Sequence, residues 1–64
     1  MTTETGSPVF TIQRQRDEIW ADVARHTDLE IAIDLAYAWA DNDAEKTRWQ
    51  VVGPCGTVMS RAGE

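Results

Sequence analysis

Three groups of residues have types that could do chemistry. The run Asp41-Asn42-Asp43-Ala44-Glu45 gathers oxygen donors within five positions, the ligand type a calcium ion takes. It lacks the glycine of the sharp turn and the distal bidentate glutamate of a calcium loop. The run therefore reads as an ordinary polar connection, with no metal site. Cys55 is the single cysteine and His26 the single histidine. A cysteine nucleophile needs a base and a group that orients the base, and the order of elements gives no reason for these two to meet. Cys55 reads as a turn residue and His26 as a surface residue beside a helix start. Paired carboxylates need a pocket that perturbs their pKa values, and a chain of 64 residues has little room for one. The sequence points to no catalytic residue and no cofactor, and so away from an enzyme.

The element that must position everything else is a helix over 27–40. Thr27 followed by Glu30 fits a capping box, and Asp28 and Glu30 place negative charge at the positive end of the helix dipole. At about 100° per residue, Leu29, Ala32, Ile33, Leu35, Ala36, Trp39 and Ala40 share one apolar arc with alanines near its middle. Such a helix can lie close on a sheet.

Strands flank it. Val9 to Arg14 alternates with Phe10 and Ile12 on one face, and Ile19 to Arg25 alternates with Ile19, Ala21 and Val23 together. A four-residue loop, Gln15 to Glu18, would pair Arg14 with Ile19, Ile12 with Ala21 and Phe10 with Val23. After the helix come Arg48 to Val52, the turn Gly53-Pro54-Cys55-Gly56, and Thr57 to Arg61. A four-residue turn there would pair Val52 with Thr57, Val51 with Val58 and Gln50 with Met59.

The expected fold is α+β in two layers, ββαββ. It has a four-stranded antiparallel sheet in the order 2-1-3-4 and one helix on one face, since a right-handed crossover leaves room for strand one between strands two and three. The inner face would hold Phe10, Ile12, Ile19, Ala21, Val23, Trp49, Val51 and Val58. Residues 1–8 read as a disordered arm, 9–61 as one domain, and 62–64 as a frayed tail. At this length only ~60% of the chain's surface can be buried, so the core is thin.

The closing hairpin W-x-V-V-x-x-x-G-x-V (Trp49, Val51, Val52, Gly56, Val58), after a hairpin with Trp20 in its second strand and an Ala-rich helix, resembles several families of small uncharacterised bacterial and phage proteins of ββαββ layout. The resemblance covers residues 9 to 60 and is a packing pattern. It implies no activity. Small acidic phage inhibitors, anti-CRISPR proteins among them, are similar to the chain in size and charge.

Two surfaces remain as candidate sites. The outer sheet face would carry Trp20, Gln50, Val52 and Met59, beside Thr11, Gln13, Asp22 and Thr57, with no second layer to cover it. An uncovered Trp with Val and Met suggests a protein contact; the plainer reading is scattered apolar groups on a small domain. The helix's outer side would carry Glu30, Ile31, Asp34 and Asp41, with Ala38 beside them; there the plainer reading is a solvated face.

Net charge is −5, from eleven acidic and six basic side chains, and 28–45 holds six of the acids and no Lys or Arg. That sign disfavours phosphate-backbone binding and would steer a basic partner. The chain has no apolar run long enough to span a bilayer and no signal-peptide pattern at its start. With one cysteine it fits a reducing compartment, so it reads as cytoplasmic. Three functions follow as expectations: a protein-interaction module, a homodimer closing sheet on sheet through Trp20, Val52 and Met59, and a nucleic-acid mimic or phage-type inhibitor occupying a basic groove.

Overall fold

A computed structural model describes residues 8–63. The expected N-terminal arm, apart from Pro8, and the last residue of the expected tail lie outside the described residues. The elements are β1 (Phe10–Arg16), β2 (Ile19–His26), α1 (Leu29–Asp41), β3 (Arg48–Val52) and β4 (Val58–Ala62). The strands form one antiparallel sheet in the order β2-β1-β3-β4. The α+β layout and the strand order are those expected from the sequence.

Ala32 and Ala36 are buried and let the helix backbone approach the sheet. With Ile12, Trp49, Val51 and Ala62 they make the core; Phe10, Ala24, Leu29, Ile33, Leu35, Trp39 and Ala40 pack around it. Trp39 and Trp49 meet with ring centroids 5.8 Å apart and planes tilted by 55°, a geometry that aromatic pairs favour.

Four details differ from the sequence reading. Asp28, not Thr27, is the N-cap: its carboxylate accepts the amides of Glu30 (3.0 Å) and Ile31 (3.3 Å). The helix therefore begins one residue later than the capping-box pattern implies.

The first hairpin turns on two residues, not four. Asp17 and Glu18 both have positive φ (53° and 66°), as a two-residue hairpin of matching twist requires. Arg16 thus pairs with Ile19 and Arg14 with Ala21; a bulge then leaves Val23 unpartnered, so Ile12 meets Ala24 and Phe10 meets His26.

In the second hairpin Val52 pairs with Val58 and Val51 with Ser60, leaving Met59 as the extra residue. Val58 therefore lies beside Val52 rather than on the inner face. Ile19, Ala21 and Val23 are exposed as well, because the helix is centred over β3 rather than β2.

Nor is Ala62 part of a frayed tail: it closes β4 and is buried. Gly63 follows at φ +81°, where an added Cβ would stand 2.6 Å from the Thr47 carbonyl oxygen. Only glycine allows that approach.

Candidate functional site

Antiparallel pairing sorts the sheet into rows. Arg14 and Arg16 alternate with Gln13 and Gln15, so they share the inner face with Ile12. Arg14, largely buried there, needs acceptors, while Arg16 stays exposed at the strand end. The α1–β3 connection supplies acceptors to both.

Asp43, whose side chain is 6% exposed, is the centre of this network. Its Oδ2 accepts the Thr47 amide (3.0 Å), the Thr47 hydroxyl and the Trp49 indole N–H (3.1 Å). Its Oδ1 accepts the Glu45 amide (3.0 Å) and a guanidinium N–H of Arg14 (3.3 Å). Arg14 also donates through Nε to the Thr47 hydroxyl (2.9 Å) and lies over the Trp49 ring, 5.6 Å from its centroid. Glu45 receives Arg14 at 2.5 Å and holds Arg16 through both oxygens, at 2.5 and 2.6 Å.

The Thr47 hydroxyl bond, followed by the amides and the indole, holds the Asp43 carboxyl well below the usual carboxylate range. Glu45 raises the pKa of Arg16 in turn, first by hydrogen bonding and then by charge. Five donors use the acceptor capacity of the Asp43 carboxylate, so this group ties a loop to a sheet. The sequence reading passed over it as a polar connection. One signal was there: alternation continued past Ile12 places Arg14 and Arg16 inward.

The outer face carries a polar ladder. Gln50 donates to the side chain of Gln13 at 2.7 Å, and Gln13 donates to Asp22 at 2.8 Å. Arg61 stands opposite Gln50 in the next strand. Gln50 lies on the outer face as expected, yet it is 6% exposed and its amide is spent inside the ladder. Trp20 is half-buried in the row of Gln15 and Arg48, whereas Val52 and Val58 lie in the row of Thr11 and Arg25. The ladder runs between those two rows. Met59, exposed, sits at the bulge beside Gly53. Trp20 and the Val52–Met59 group are therefore separate and do not form one apolar patch.

The outer side of α1 is different. Glu30, Asp34, Tyr37 and Asp41 recur at helical spacing and all are exposed, with Ile31 and Ala38 beside them. Tyr37 is 53% exposed and Ile31 43%. Among the described residues the ion pairs join Arg14, Arg16 and Arg25 to Asp43, Glu45 and Asp22. None reaches Glu30, Asp34 or Asp41. A depression of about 300 Å3 at the end of this stripe is lined by Tyr37, Ala40, Asp41, Lys46 and Gly63.

His26 Nδ1 accepts the Asp28 amide at 3.1 Å, and Cys55 is exposed in the β3–β4 turn. No hydrogen bond joins them among the described residues. No cluster of three potential metal ligands occurs among those residues, and no helix there is long and apolar enough to cross a membrane. Compared with protein-family models, with curated proteins and with solved structures, the chain matches none.

Proposed function

We propose that the chain is a small, non-enzymatic protein-interaction module of the cytoplasm. Its contact surface is the outer side of α1, and its partner is a protein that presents a basic surface. One observation carries the reading: Tyr37 stands exposed among Glu30, Asp34 and Asp41, and none of the ion pairs formed among the described residues uses those acids, although Lys46 lines the depression at the Asp41 end. Arg14 and Arg16 are held by Asp43 and Glu45 in the α1–β3 connection. Uncompensated charge of one sign steers an oppositely charged partner, and a tyrosine at the centre of such a patch supplies area at low entropic cost. The outer sheet face supports the same function less well, because the Gln50–Gln13–Asp22 ladder separates its apolar groups.

The test compares wild type, Tyr37→Ala, the double change Asp34→Lys/Asp41→Lys, and Trp20→Ala. Each is titrated with an arginine-rich peptide and used for capture of partners from extract at rising salt. The expected result is binding that weakens with salt, is reduced by Tyr37→Ala and lost in the lysine variant, and is unchanged by Trp20→Ala. Loss in Trp20→Ala with retention in the lysine variant would move the contact to the outer sheet face.

A further inference from the structure

We infer that the free edge of β2 pairs antiparallel with the β2 of a second copy, making one continuous eight-stranded sheet about a two-fold axis between Val23 and Ala24. This inference is independent of the reading of α1. Among the described residues no strand pairs with the outer edge of β2, the longest strand of the sheet at eight residues. Along that edge Val23, at the centre of the pair, is 48% exposed. An uncovered edge with apolar side chains is a template for another strand.

The register follows from the bulge. Residues three apart in a regular strand lie on opposite faces. The bulge at Val23 instead puts Asp22 and Arg25 on the same outer face, opposite Gln13 and Thr11. They approach each other within one chain only loosely, at 3.7 Å with both side chains more than half exposed. An antiparallel pair centred between Val23 and Ala24 sets Asp22 opposite Arg25 of the second copy, and Arg25 opposite its Asp22. Both contacts fall on one face, and Ala21 then meets His26 of the second copy on the other. Centring the pair on Val23 would set Asp22 opposite Ala24, which faces inward with Ile12, so that register fails. Charge complementarity and face parity select the same arrangement, and opposite charges placed directly across strands favour it.

The test is sedimentation over a concentration series for wild type, Arg25→Asp, Asp22→Arg and the swap Asp22→Arg/Arg25→Asp, each checked for fold by circular dichroism. Wild type is expected to dimerise weakly with rising concentration. Arg25→Asp is expected to raise the dimer dissociation constant by at least about tenfold, because like charges now oppose twice. The swap should restore dimerisation, and mixing Arg25→Asp with Asp22→Arg should give a heterodimer even if either alone is poorly folded. Trp20→Ala should dimerise as wild type does, whereas a sheet-on-sheet dimer would be lost. A wild type that stays monomeric at roughly millimolar concentration, an Arg25→Asp protein that dimerises like wild type, or a folded swap that stays monomeric would each overturn the inference.

Discussion

The indole N–H of Trp49 donates to the carboxylate of Asp43 at 3.1 Å. A core aromatic residue is thereby bonded to the loop that leads into its own strand. The ring packs against Trp39 on α1 and carries the Arg14 guanidinium over its face. Helix, loop and two strands meet at this one pair of residues. Removing the carboxylate would leave Arg14 short of an acceptor and Thr47 and Trp49 with unmet donors.

Asp43→Asn keeps the shape and one acceptor oxygen but turns an NH2 towards donors, so it should destabilise clearly. Asp41→Asn, two residues away and exposed, should not. Urea unfolding compares them. The pH dependence has a definite sign. The Asp43 pKa lies far below its ordinary 3.8 in the folded state, so its contribution is complete above about pH 4 and lost as pH falls through the acid range towards the folded value. Thermal melts between about pH 2 and 7 should therefore show a shallower acid slope in Asp43→Asn than in wild type.

The position of the helix start can be checked in the same way. Asp28→Ala removes the acceptor for the Glu30 and Ile31 amides and should cost about 0.5–2 kcal/mol. Thr27→Ala should be nearly neutral. Equal effects of the two changes in chemical denaturation would return the cap to Thr27.

Burial separates two isoleucines that the sequence pattern treats alike. Ile12 is 0% exposed and Ile19 67%. Ile12→Ala should cost about 2–5 kcal/mol, a large share of the whole for a chain this small, at roughly 0.05–0.15 kcal/mol per residue. Ile19→Ala should change stability by less than about 0.5 kcal/mol. Denaturant midpoints for the two variants decide it.

What could be read in advance, and what could not, follows from the range of the interactions. Alternation in 9–14 and 19–25, the alanine-centred arc of α1 and the turn residues between 48–52 and 57–61 are local, and with the right-handed crossover rule they were enough for four strands, one helix and their order. Register depends on single backbone conformations. Positive φ at Asp17 and Glu18 has no glycine to announce it, and the bulges at Val23 and Met59 leave no mark in composition. The continuity of the outer sheet patch was hidden for the same reason. Placing Trp20, Val52 and Met59 on one face was a matter of parity, but whether they touch depends on the row between them, and Gln13 and Gln50 fill that row. In the Asp43 network the bonds from Glu45, Thr47 and Trp49 are local, but those of Arg14 and Arg16 span 29 to 33 positions. Such pairings become visible only when β1 lies beside β3.

The first turn offers a stabilising change. Two acidic residues occupy positions where L side chains crowd the backbone. Asp17→Asn with Glu18→Gly supplies the residue types that a two-residue turn of this hand prefers. A gain of about 1 kcal/mol is expected, read as a rise of several degrees in melting temperature.

Asp41 is the residue where stability and the proposed contact pull in opposite directions. It is the last residue of α1, whose final turn holds no basic side chain, so its carboxylate sits at the negative end of the helix dipole. Asp28 and Glu30, at the other end, are placed favourably. Asp41→Lys should therefore raise stability by about 0.3–1 kcal/mol, while the same change removes one of the three acids around Tyr37 and weakens binding to a basic partner. A paired measurement, thermal melting and peptide titration on one preparation, tests this opposition. A variant both more stable and poorer at binding is the expected result, as for a position kept for its surface role. A variant that is less stable and binds unchanged would remove Asp41 from the contact and leave Glu30, Asp34 and Tyr37 to carry it.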